Sequence, residues 1–253
     1  MKKLKIGIIG VGRLGYEHAC NIANRVPGSE LVAIADANFD RAKQVAEELG
    51  VTAVYNDPKA LCADPNVEAV AIITNTASHV EMIKIAMDAG KHVFCEKPLA
   101  DTVEKCKEAE AIIAAHPELT FMLGFMRRYD HSYQVAKKKM ENGDIGDVIL
   151  VRCYSQDPIS IIEGTLEYAP RSGGQFIDMS IHDFDLIRWL TGSEVKELWA
   201  TGGCYEFKQY KDWDDGDNVS GLMKMENDAM AFFFAGRAAA HGSHVETEIV
   251  GTR

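Results

Sequence analysis

Residues 4–15 read LKIGIIGVGRLG, a short apolar, β-rich run that flows into glycines at positions 10, 12 and 15. Such a run suits a strand buried in a parallel sheet. A helical pattern follows through His18, Ile22 and Ala23, and a second strand-like run, ELVAIAD, closes on Asp36. Alone, G-x-G-x-x-G is a weak signal. Set between strand and helix, with an acid about 20 residues on, it reads as a dinucleotide-binding fingerprint. Gly10 permits the tight turn, and Gly12 lets the backbone approach a pyrophosphate. Gly15 lets helix and strand pack closely, leaving the helix N-terminal amides to receive the anion. Asp36 is expected to bond the adenosine ribose hydroxyls and repel a 2′-phosphate, favouring NAD over NADP. Asp40, ahead of RAKQVAEELG, is the expected cap of the next helix.

The alternation continues outward from this unit. EAVAIIT (68–74) reads as a strand, SHVEMIKIAMDAG (78–90) as a helix and HVFCEK (92–97) as a strand; a helix over 102–115 and the strand TFMLGF (120–125) follow. Strands alternating with helices imply a doubly wound parallel sheet, an α/β Rossmann fold, whose ligands lie beyond the carboxyl ends of the strands. Thr74, Asn75, Glu96 and Lys97 fall at such ends. With Arg13 and Leu14 inside the glycine turn, and with His79, they join Gly10, Gly12, Gly15 and Asp36 as the candidate cofactor-binding set. Pro98 pushes Lys97 toward an extended or turn conformation.

Composition excludes several classes. A net charge of −11, with no basic block, argues against nucleic acid. Six scattered cysteines without a C-x-x-C pair read as reduced thiols. The basic, apolar start is broken by Gly7, Gly10 and Gly12 and has no cleavage site, and no run approaches the ~20 apolar residues of a membrane span. The expectation is a soluble, cytoplasmic protein.

After residue 124 the pattern changes. DVILVRCYSQD (147–157), VKELWATGGCYEF (195–207), NVSGLMKMEN (218–227), AMAFFFAGRAA (229–239) and HVETEIVGTR (244–253) are longer strand-like runs. They predict a separate α+β domain with a large open mixed or antiparallel sheet, dividing the chain at 1–123 and 124–253. In GFMRRYD (124–130), one arginine is free to pair with Asp130 while the other is solvated. SGGQFIDMSIHDFD (172–185) reads as a helix with Asp178, His182 and Asp185 on one face. Such a face can ligate a metal, relay a proton, or solvate a surface. No H-x-H or H-E-x-x-H spacing supports a metal, so none is expected. Asp183 is expected to solvate the helix, and Met179, Ile181, Phe184, Ile187 and Leu190 to pack in the core.

GIIGVGRLGYEHA, HVFCEKPLA, GFMRRYD and SGGQFIDMSIHDFDLIRWL together resemble the Gfo/Idh/MocA oxidoreductase family and, within it, the inositol 2-dehydrogenases most. The resemblance implies an NAD-binding domain, a cis Lys97–Pro98 bond, and a second domain that binds substrate and builds a homodimer or homotetramer through its sheet. It implies oxidation of a secondary hydroxyl of myo-inositol or a related cyclic polyol or sugar to the ketone, with hydride passing to NAD. It assigns His182 as the base, apt because an unperturbed imidazole titrates at about 6.5. Asp178 then orients the imidazole or bonds a substrate hydroxyl, and Lys97 donates to the reacting oxygen. Arg127, Ser155 and Asp157 are implied substrate contacts, although Asp157 stands where some relatives have asparagine. His241 matches a position where some relatives carry a substrate-facing tyrosine. The chain also stops where the family turns into another strand and a closing helix, so a sheet edge is expected to be exposed. The alternative is an NAD-binding sensor or an inactive, shortened paralogue.

Overall fold

The computed structural model describes residues 2–253, which divide into two compact units, residues 2–124 and 125–253. In the first, β1 (Leu4–Ile9), α1 (Arg13–Asn24), β2 (Ser29–Ala35), α2 (Phe39–Leu49), β3 (Ala53–Tyr55), α3 (Pro58–Ala63), β4 (Ala69–Ile72), α4 (His79–Asp88), β5 (His92–Cys95), α5 (Val103–Ala114) and β6 (Phe121–Leu123) follow in order. The strands form a wholly parallel sheet in the order β3-β2-β1-β4-β5-β6. Successive side chains leave a strand on opposite faces. Ile8 therefore enters one core with Val11, Ala19 and Ile34, while Ile9 enters another with Val70, Ile72 and Ile83. Both faces are covered, which is why the strands read as nearly unbroken apolar runs. The strand order doubles back about β1, whose two neighbours are β2 and β4, so the carboxyl ends of β1 and β4 flank the switch point.

Local signals set the helix ends. Asn38, not Asp40, caps α2: its side chain accepts from the Arg41 amide, and Asp40 lies in the first turn. The helix thus starts two residues earlier than a cap at Asp40 would place it, and Gly50, at φ 72°, ends it. The short β3 and α3 lie between elements that the apolar pattern does mark. Asp57 caps α3 ahead of Pro58.

The second unit runs α6 (His131–Glu141), β7 (Val148–Pro158), α7 (Ile162–Tyr168), α8 (Gln175–Asp178), α9 (Ile181–Thr191), β8 (Val195–Gly203), β9 (Asn218–Met225), β10 (Met230–Ala239) and β11 (His244–Gly251). Its sheet order is β11-β7-β10-β9-β8, with β7 and β10 parallel and the other pairs antiparallel. Leu186, Ile187 and Leu190 of α9 pack with Val151, Cys153, Met223 and Phe233 on the inner face. Phe184 meets Phe233 edge-on at 4.9 Å between ring centroids. The outer face pairs Arg152 with Phe232, Phe232 with Leu222, and Leu222 with Trp199 across neighbouring strands. Trp199 is 64% exposed and Leu222 54%.

One correction bears on the site. The stretch 172–185 is not one helix: α8 ends at Asp178, and α9 starts at Ile181 after Met179 and Ser180. Ser180 is fully buried, and its amide reaches back to the Gln175 carbonyl, which interrupts the helical ladder.

Candidate active site

The glycine turn is built as the spacing requires. Gly10 has φ +90°, and a Cβ there would stand 2.5 Å from the Ile73 carbonyl oxygen. A Cβ on Gly15 would fall 2.0 Å from the Gly10 carbonyl oxygen, so only glycine lets α1 sit so close to the turn. Gly12 differs: a Cβ there meets nothing within 4 Å, and the residue forms the N-cap of α1 without a side chain to fill the space. That open position before unsatisfied helix amides fits an anion. Arg13 and the half-exposed Leu14 begin α1 just beyond it.

Asp36 is set in place at the end of β2. Its Oδ2 accepts from the Val11 amide at 2.7 Å and its Oδ1 from the Asn38 amide at 2.8 Å. Gly10, Gly12, Asp36, Thr74 and Asn75 line one cavity of about 400 Å³ at the carboxyl ends of β1 and β4. Arg41 borders the same turn, donating from Nε to the Val11 carbonyl at 3.1 Å with its guanidinium 5.1 Å from the Tyr16 ring centroid. The structure thus brings together a backbone cradle, a carboxylate fixed by two amides and a cavity.

His79 and Glu96 sit differently from the cavity residues. His79, an expected cofactor contact, is 1% exposed, with both ring nitrogens facing backbone carbonyls. Its Nδ1 lies 2.8 Å from the Pro98 carbonyl oxygen and its Nε2 lies 3.3 Å from that of Thr74. Burial holds the ring below its ordinary pKa against the pull of the two carbonyls, so near neutrality it has one proton to donate. The shorter contact marks Pro98 as the acceptor. Glu96 accepts from the Lys97 amide at 3.1 Å and lies 2.9 Å from His18 Nε2. Burial opposes its charge, but His18 and the Lys97 amide outweigh that and hold its pKa below the usual carboxylate value. Lys97 follows at the end of β5, and its bond to Pro98 is cis.

In the second unit, both arginines of GFMRRYD find partners other than Asp130. Arg127 donates to Asp183 Oδ1 at 2.6 Å and to Ser155 Oγ at 2.8 Å, and Ser155 Oγ donates to the same Asp183 oxygen at 2.7 Å. Arg128 grips Asp185 with two bonds of 2.8 Å. Asp130 instead caps α6 through the Ser132 and Tyr133 amides. Asp183, expected on a solvated face, is fully buried, because an arginine from 56 residues earlier supplies the charge that water would otherwise provide. Burial pushes its carboxyl up, with Arg127 and Ser155 pulling the other way. Ser155, an implied substrate contact, is 1% exposed, and its hydroxyl bridges Arg127 and Asp183.

Asp178 ends α8, and its Oδ2 accepts from Arg237 Nη2 at 2.6 Å and from the Tyr168 hydroxyl at 3.0 Å. His182 lies in the first turn of α9, its ring edge-on to Phe125 with centroids 6.4 Å apart. Asp157 lies near the end of β7, and His241 is exposed after β10 with its ring 5.8 Å from that of His244. Among the described residues, no group of three or more His, Cys, Asp or Glu is arranged to hold a metal ion. Sequence reasoning passed over Arg237, Tyr168 and Gln175. The available signal was an arginine within the apolar run AMAFFFAGRAA, where a charge is costly unless partnered.

A doubly wound sheet with a glycine cradle at its switch point defines the class as a dinucleotide-binding protein, and comparisons with known proteins narrow it. Residues 4–125 match the model of the GFO_IDH_MocA oxidoreductase family, NAD-binding Rossmann fold, and residues 133–253 match the GFO/IDH/MocA C-terminal domain. The chain belongs to this family and uses NAD. It is 34% identical to a scyllo-inositol 2-dehydrogenase (NAD(+)) of Bacillus subtilis, over 99% of this chain and 72% of that protein. Against a myo-inositol 2-dehydrogenase of Thermotoga maritima the figures are 36%, 99% and 73%. A structure of scyllo-inositol dehydrogenase from Lactobacillus casei with bound NAD(H) and scyllo-inositol superposes with a TM-score of 0.94 at 42% identity, covering 99% of this chain and 74% of that one.

Proposed function

We propose that the protein oxidises a secondary hydroxyl of myo-inositol or a related cyclic polyol to the ketone. The observation that carries this reading is the dinucleotide cavity with Asp36 at its rim, in a chain similar to enzymes named for inositol oxidation. Bound NAD supplies the hydride acceptor. The chain's own residues supply the proton chemistry: His182 takes the hydroxyl proton, and Lys97 donates to the oxygen as it gains alkoxide character. Asp178 stabilises the imidazolium or bonds a substrate hydroxyl. Asp157 and His241 are proposed polyol contacts, whereas Arg127 shapes the surroundings from its bonds to Ser155 and Asp183. Self-association through the outer face of the second sheet completes the proposal.

The test is NADH absorbance on a panel of myo-inositol, scyllo-inositol and glucose. Turnover of an inositol is expected, with Lys97→Ala and His182→Ala each lowering kcat by about a hundredfold or more. A folded protein that binds NAD yet turns over no polyol would select a non-catalytic NAD-binding protein instead. Full activity in either variant would discard the assigned chemistry.

A further inference from the structure

The geometry points to Arg237 as a positioning residue that, closed into a ring with Tyr168, holds the Asp178 carboxylate in its working orientation. This rests on the role proposed above for Asp178. Three observations carry it.

First, the guanidinium is spent on this one neighbourhood. Arg237 is 1% exposed; Nη2 donates to Asp178 Oδ2 at 2.6 Å, Nη1 to the Tyr168 hydroxyl at 2.9 Å, and Nε to Gln175 Oε1. Gln175 and Asp178 are the two ends of α8, so one planar group grips the whole short helix. Second, the ring closes. The Tyr168 hydroxyl accepts from Arg237 and donates to the same Asp178 oxygen at 3.0 Å, so two donors at fixed positions set the carboxylate plane. Burial, then the Asp178 charge, pushes the tyrosine above its ordinary pKa, which keeps that proton in place as a donor.

Third, the strand aims the arginine. Ala231, Phe233, Ala235 and Arg237 are buried at alternate positions of β10, so Arg237 projects from the inner face of the sheet. Its amide donates to the Asp217 carbonyl at 2.9 Å, continuing the register of β10 against β9 and fixing the backbone beneath the guanidinium. α8 is a single turn followed by a break, too short to hold its own last side chain by helical packing. An external clamp supplies that rigidity.

Steady-state kinetics on Tyr168→Phe, Arg237→Lys and Arg237→Met, with NAD affinity measured by calorimetry, test the inference. Tyr168→Phe removes one hydroxyl from the ring and leaves the buried charge paired, so it is the variant best placed to fold. Expected are a kcat about tenfold lower in Tyr168→Phe and about a hundredfold lower in Arg237→Met, with Arg237→Lys recovering part of the loss. The NAD dissociation constant is expected to stay within about twofold, since the clamp orders the proton chemistry and not the cofactor. Unchanged kcat in folded Tyr168→Phe and Arg237→Lys overturns this inference alone. Loss of kcat and NAD affinity in step with falling Tm also overturns it, by reducing the ring to a stability element. An unmodified protein that turns over no polyol overturns both this inference and its parent reading.

Discussion

At the scale of single residues, Asp36 and Arg41 both hold the backbone of one residue, Val11. The Val11 amide donates to Asp36, and the Val11 carbonyl accepts from Arg41. A carboxylate at this place disfavours a 2′-phosphate, while an arginine beside it is the kind of group that accommodates one. Replacing Asp36 with serine removes the repulsion and leaves the guanidinium where it is. We expect Asp36→Ser to shift the ratio of NADP to NAD affinity by about tenfold or more toward NADP, which corresponds to about 1.4 kcal/mol. The double variant Asp36→Ser/Arg41→Ala should lose most of that gain. Titration of each variant with both dinucleotides reads it directly. Equal NADP affinity in the single and double variants would remove Arg41 from the account.

At the scale of elements, α2 shows how a cap can be misplaced by two residues. Asp40 looks like the cap because it precedes the charged stretch, yet Asn38 makes the bond to the Arg41 amide. Asn38→Ala is therefore expected to cost about 1 kcal/mol in urea unfolding, while Asp40→Ala costs at most a few tenths. The reverse order would restore Asp40 as the cap. The same element-level view explains what could be read from the chain and what could not. The strand–turn–helix at residues 4–24 was legible because every signal is local: apolar run, three glycines, then an acid at the end of the next strand. The division of 172–185 into α8 and α9 was not, because a buried serine and a reach-back bond from Ser180 to Gln175 interrupt a sequence whose spacing alone continues as a helix. Nor could the pairings of Arg127 with Asp183, Arg128 with Asp185 and Arg237 with Asp178 be read. Their partners lie 56, 57 and 59 residues apart, and periodicity carries no information at that range.

At the scale of the whole molecule, the outer face of the second sheet remains to be accounted for. Val250, Leu150 and Met230 pair across β11, β7 and β10 in one row; Arg152, Phe232, Leu222 and Trp199 run across β7, β10, β9 and β8 in the next. Tyr154 and Phe234 continue this aromatic surface, with ring centroids 6.3 Å apart. Isolated apolar side chains on a surface need no explanation, but a contiguous patch spanning every strand of a sheet marks an interaction surface. A flat face of paired strands suits a second copy of itself, because a two-fold axis brings the same residues against one another. Charge enters at its margin, where Arg152 pairs with Glu248 at 2.8 Å, as expected of a polar rim around an apolar centre. Trp199, the most exposed member at 64%, and Leu222 beside it are the places to interrupt such an interface. A glutamate at either would set two like charges near the axis without touching the inner face or the dinucleotide cavity. Sedimentation velocity at micromolar concentration should show the unmodified protein as a dimer or tetramer, and Trp199→Glu and Leu222→Glu shifted toward monomer with NAD binding retained. If the unmodified chain sediments as a monomer, or if both variants keep its assembly state, the sheet face is not the interface.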